Sequence, residues 1–131
     1  MLKQVMDNIS PYVVSKIARK HDVEKKSRSF SPWSHVVSMI FAQLSHALSL
    51  NDICDTMRHH AGALSTVRKA TAPSRNGLSH ANSVRDSAMA KDLFYDTIST
   101  LTDNFSNMPI PLTKVHSLAP MFVVLYYQQS P

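Results

Sequence analysis

Glycine is almost missing from this sequence: among 131 residues only Gly62 and Gly77 occur. Tight hairpin turns and phosphate-cradling loops both need glycine where other residues are strained. A turn-rich β fold is therefore not expected, and a glycine-rich nucleotide loop is excluded. Cysteine is scarcer still. Cys54 stands alone, so no internal disulfide can form, which fits a reducing compartment. No apolar run approaches the roughly 20 residues that span a bilayer, and no membrane association is expected. The first ten residues, M-L-K-Q-V-M-D-N-I-S, mix charge with apolar side chains and lack the core of a signal peptide. Sustained two-residue alternation is also missing, which argues against a sheet.

What is present is enough for one folded domain. Apolar residues make up 44% of the chain, an ordinary fraction for a globular core. The charge is uneven. Residues 1–30 hold seven Lys and Arg against three acids, a net of +4, and residues 31–90 hold five against three, a net of +2. Residues 91–131 hold two against three, a net of −1. The basic density peaks around Lys16–Lys20 and at Lys25, Lys26 and Arg28. Such clusters attract phosphates without regard to sequence, although a solvated basic loop or an acidic protein partner is equally allowed by charge alone.

Helical periodicity runs through the chain. Leu2, Val5, Met6 and Ile9 share one helical face. Ser10-Pro11 and Ser31-Pro32 are each a cap followed by proline at the first helical position. Val13, Val14 and Ile17 form the inward face behind the first. Behind the second, Trp33, Val36, Val37, Ile40, Phe41, Leu44 and Leu48 form a long stripe, with His35, Ser38, Gln43 and Ser45 on the other side. Residues 21–31 between them read as a loop. Ser49-Leu50-Asn51-Asp52 resembles a capping box and opens a helix to about His60, with Leu50, Ile53, Cys54 and Met57 inward. Gly62 is the expected stop, and a short helical turn follows over 63–70. A last helix is expected over about 87–102, on Ala90, Leu93, Phe94, Ile98 and Leu101.

Between these lies P-S-R-N-G-L-S-H-A-N-S-V-R (Pro73–Arg85), a helix capped by Ser74 with Leu78, Ala81 and Val84 as its only inward stripe. Arg75, Asn76, Ser79, His80, Asn82 and Arg85 fill the rest of its circumference. These residues suit a solvated surface helix, and they also suit a reader of DNA. Arg and Asn make bidentate bonds to guanine and adenine edges, and Ser bonds to bases or phosphates. A capped apolar helix, a turn near Gly62, a short helix and then this polar helix can be laid out as a helix-turn-helix variant, with looser spacing than a compact repressor-type motif. The expected fold class is all-α: a compact bundle of five to six helices with a helix-turn-helix-like portion. It occupies residues 1–105, followed over 106–131 by a Pro-containing linker and tail.

Other chemistry is poorly supported. His46, Cys54, His59 and His60 do not match a structural zinc pattern, and Cys54 reads as inert core. No metal or other cofactor is expected. His21-Asp22 reads as charged surface, Trp33 as core, and the Phe122–Tyr127 run as a strand stub or aggregation-prone tail. No set of catalytic side chains converges.

Three segments in order, F-S-P-W-S-H-V-V-S-M-I-F-A-Q-L (Phe30–Leu44), S-L-N-D-I-C (Ser49–Cys54) and R-N-G-L-S-H-A-N-S-V-R (Arg75–Arg85), resemble the N-terminal domain of bacterial insertion-sequence transposases. The resemblance is to the DDE group typified by the fourth named insertion sequence, and it covers about residues 1–118. It implies contact with element DNA, possible transposase self-association and a place on the bacterial nucleoid in the cytoplasm. The residues expected to contact DNA are Arg75, Asn76, Ser79, His80, Asn82 and Arg85 together with Lys25, Lys26 and Arg28, without assignment to bases or phosphates. It also implies a following catalytic domain whose three carboxylates hold divalent metal. Here Lys114–Leu118 looks like the entry to that domain's first strand, but Ala119 stands where the resemblance leads one to expect an aspartate. The expectation is a truncated or frameshifted, non-catalytic transposase with the frame lost near Leu118. Translation of the downstream DNA in its other frames should yield an aspartate and a catalytic domain; finding none overturns the idea. The alternative function is a protein-interaction module that associates with, or inhibits, a full-length transposase.

Overall fold

In the computed structural model, residues 1–23 and 29–105 are described. They form seven helices: α1 (Leu2–Met6), α2 (Pro11–Lys20), α3 (Pro32–Leu44), α4 (Leu50–His59), α5 (Ala61–Ser65), α6 (Arg75–Val84) and α7 (Ala88–Phe105). No strand occurs among the described residues, which are all-α. Five helices have ten or more residues, while α1 and α5 have five each. The expected linker and tail over 106–131, with Ala119 and the Phe122–Tyr127 run, lie outside the described residues. So do Lys25, Lys26 and Arg28. No helix among the described residues is long and apolar enough to cross a membrane.

Serine caps set the helix starts. Ser31 Oγ accepts from Ser34 N at 3.0 Å, Ser49 Oγ from Asp52 N at 3.2 Å, and Ser74 Oγ from Gly77 N at 3.0 Å. Each satisfies a backbone donor that the first helical turn leaves open. Ser10 makes no such bond, and Pro11 starts α2 without it.

The helix stops do not use glycine. Gly62 was the expected terminator, but it lies inside α5, and no glycine has positive φ. Asp22 (φ 54°), His46 (φ 52°), Arg68 (φ 50°) and Lys69 (φ 59°) take the left-handed conformation instead, the first two closing α2 and α3. At His46 the Ala47 N–H reaches Ala42 O at 3.0 Å, and at Asp22 the Val23 N–H reaches Ala18 O at 2.8 Å. These are the bonds of a Schellman-type end. Asp and His tolerate this conformation better than most side chains, which is how a chain with two glycines still turns sharply. The early stop at Leu44 also corrects the sequence-based stripe. Leu48, expected on the inward face, is 96% exposed.

The central helix α3 differs most from expectation. His35 and Ser38, assigned to its outer side, are buried, as is every residue from Pro32 to Ile40. Helices α1, α2 and α4 all pack against α3, so it has almost no solvent side. Its polar groups are satisfied internally, as burial requires. Ser38 Oγ donates to Ser34 O (2.7 Å), and Trp33 Nε1 donates to Val67 O (3.2 Å). Ser34 Oγ accepts from Thr71 N (3.1 Å). The last two bonds fasten the segment between α5 and α6 onto the core.

The long helix α7 packs on α2, burying Met89, Leu93 and Thr97. Lys20 Nζ (2.7 Å) and His21 Nε2 (2.9 Å) both donate to Asp92 Oδ2 across this contact. The Lys20 bond first, then that of His21, hold the Asp92 carboxyl below its ordinary pKa. His21 Nδ1 also lies 3.6 Å from Asp86. His21 therefore joins the ends of α2 and α7 rather than standing as free charged surface.

Candidate nucleic-acid interface

Helix α6 has one apolar anchor of any size. Leu78 is fully buried and Ala81 nearly so, against α4. Val84, the third residue of the expected inward stripe, is 46% exposed. It borders a cavity of about 290 Å³ shared with Phe30, His80 and Arg85.

The opposite face is polar and open. Arg75, Asn76, Ser79, His80 and Ser83 are all exposed. Their spacing of one, three or four residues lines them along one side of the helix. Gly77 serves the cap, because a Cβ there would stand 3.0 Å from Ser74 Oγ.

Two of the six α6-region residues expected on DNA are turned the other way. Asn82 is half-buried, and its Oδ1 accepts from His35 Nε2 at 2.7 Å. Arg85 donates through Nη2 to the carbonyl of Phe30 and lies over the Phe30 ring, 5.4 Å from its centroid. Its Nη1 is buried with no hydrogen-bond partner. Burial pulls the Arg85 pKa down to about 10, which still leaves it charged at neutral pH. These two residues hold α6 in orientation; the four N-terminal ones are free to meet a partner.

The receiving group in α3 is unusual. Burial drives the pKa of His35 down to about 4, against a smaller upward pull from the Asn82 bond, and Arg85 adds a repulsive charge. His35 is therefore a neutral donor at physiological pH. Its ring also packs on Phe30, with centroids 5.8 Å apart. Phe30, His35, Asn82 and Arg85 thus form a polar lock beneath α6. Sequence periodicity missed it. The available signal was that Pro32–Leu44 contains no charged residue at all, the mark of a helix buried all round.

On α4, Cys54 is buried and Arg58 is exposed one turn later. Burial pushes the Cys54 thiol pKa up, while the cations Arg58 and Arg75 act in the opposite direction. No group of three or more His, Cys, Asp or Glu side chains among the described residues is placed to hold a metal ion.

Fold and site together define a small all-α domain in which a buried, uncharged helix carries a polar, cation-bearing one. The chain belongs to the family described as Domain of unknown function (DUF4372), whose model matches residues 1–67. The match spans α1 to α5 and ends before α6, so it covers the scaffold and not the polar face. No curated protein and no solved structure matches the chain.

Proposed function

We propose that this chain is a DNA-binding domain of the kind found at the N-terminus of insertion-sequence transposases. In this reading α6 lies in the major groove with Arg75, Asn76, Ser79 and His80 towards the DNA, and α4 braces it from behind. The observation that carries the reading is the two-sidedness of α6. One side is pinned by Leu78, Ala81, Asn82 and Arg85, and the other exposes donors of the types that read base edges. A merely solvated helix does not need a buried histidine to fix its rotation. The net charge of +5 supplies the attraction to phosphates. The chain would recognise element ends, and strand cleavage would fall to the separate catalytic domain that the resemblance implies.

Fluorescence anisotropy with labelled DNA duplexes, across a salt series, tests this. Binding should strengthen steeply as salt falls, and should be lost when Arg75, Asn76 and Ser79 are all replaced by Ala. Folded protein with no affinity for DNA at the lowest salt sinks the proposal. If that protein instead co-purifies with a longer transposase, the interaction-module reading replaces it.

A further inference from the structure

The packing of α4 on α6 brings a residue into the interface that the sequence did not suggest. Arg58 follows the buried Cys54 by four residues and so shares its side of α4. Arg75 is the first residue of α6. Helix α4 packs on α6, and Leu50 and Ile53 at its start line one pocket with Asn82 near the end of α6. The two helices therefore run oppositely, and the end of α4 that carries Arg58 lies towards the start of α6, where Arg75 stands. Arg58 is held only loosely. Its Nη1 lies 3.4 Å from Asp55 Oδ1, and both side chains are about two-thirds exposed (66% and 65%). Such a pair contributes little and releases easily.

We propose, resting on the DNA-binding reading above, that Arg58 is a phosphate anchor of the interface, while Arg75 and Asn76 read bases. In helix-turn-helix docking the bracing helix crosses the sugar–phosphate backbone, and the N-terminal residues of the reading helix reach base edges. Arg58 stands near the end of the bracing helix that lies towards the start of the reader. Its planar fork matches a phosphate's oxygens. Arg75 and Asn76 occupy the first turn of α6, where guanine and adenine are their bidentate partners. Asp55 competes with the phosphate for Arg58.

The test measures DNA affinity of the full chain against salt on a random-sequence duplex and on a panel of sequence variants of the best-bound duplex. Arg58→Gln keeps a good helix former at an exposed position, and circular dichroism confirms the fold. It should weaken binding equally on every sequence and lower the salt slope by about one. Arg58→Lys should restore the slope, and Asp55→Asn should tighten binding without changing sequence preference. Asn76→Ala and Arg75→Ala should each relax discrimination at one base position by roughly 5- to 150-fold. An unchanged slope in Arg58→Gln, or a shift in its sequence preference, overturns the assignment while leaving DNA binding intact. Folded wild-type protein that binds neither duplex at the lowest salt overturns both.

Discussion

Leu78→Ala is expected to lower the unfolding free energy by about 2–5 kcal/mol and to abolish DNA binding with it. Leu78 is 0% exposed and is the only large apolar side chain that α6 buries. Removing three carbons forfeits their burial and leaves a cavity that neighbours refill only in part. For a domain with a total stability of about 5–15 kcal/mol this is a large fraction. The loss falls where there is little reserve. A ten-residue helix such as α6 is not stable alone in water, so its existence depends on that contact. Leu78→Met, close in volume, should cost less than about 1.5 kcal/mol and keep binding. Urea denaturation with parallel DNA titration checks both variants. A loss below about 1 kcal/mol in Leu78→Ala would show that α6 is anchored by something other than this side chain.

The second large effect is acid sensitivity centred on His35. Its folded pKa of about 4 lies below the ordinary value of 6.5. Above pH 6.5 the ring is neutral both folded and unfolded, and contributes no pH dependence. Between 6.5 and 4 the unfolded chain binds a proton that the folded chain refuses, so stability falls as pH falls. Over the whole window the loss is about 3 kcal/mol at 1.36 kcal/mol per unit. Asp92 acts in the same direction but lower. Its depressed carboxyl contributes stability above the ordinary 3.8 that is lost as pH falls through its folded value. Denaturation midpoints at pH 7 and pH 4.5 measure the His35 step. His35→Gln, which cannot titrate, should flatten the curve between 6.5 and 4. A slope that persists in that variant assigns the acid sensitivity elsewhere.

Much of this was written locally. The starts of α2, α3, α4 and α6 follow from Ser-Pro and Ser-x-x patterns, because a cap is decided within four residues. Hydrophobic spacing placed Val14, Ile17, Ile53, Cys54, Met57 and Leu78 inside, where they are found. The differences have two causes. The stripe extends too far to Leu48 because His46 takes the left-handed position and ends α3 before it, and Gly62 is no stop because α4 ends at His59 without a left-handed residue and the chain re-enters a helix at Ala61. Periodicity puts His35 and Ser38 outside because it assumes that a helix has one wet side. Whether it has one depends on how many neighbours pack around it, and α3 has three helices against it.

The polar face of α6 divides along the same line. Its sequence determined that a capped helix would carry Arg75, Asn76, Ser79, His80, Asn82 and Arg85 around a narrow apolar stripe of Leu78, Ala81 and Val84, since helical geometry fixes which residues share a side. Only the tertiary structure decided which of those side chains remain available. Asn82 and Arg85 turn inward because a buried neutral histidine and a backbone carbonyl wait for them on elements some 50 residues away. The same packing turns the end of α4, with Arg58, towards the start of α6. Local sequence specifies donors and spacing; burial, which depends on the whole chain, selects the ones that can meet a partner.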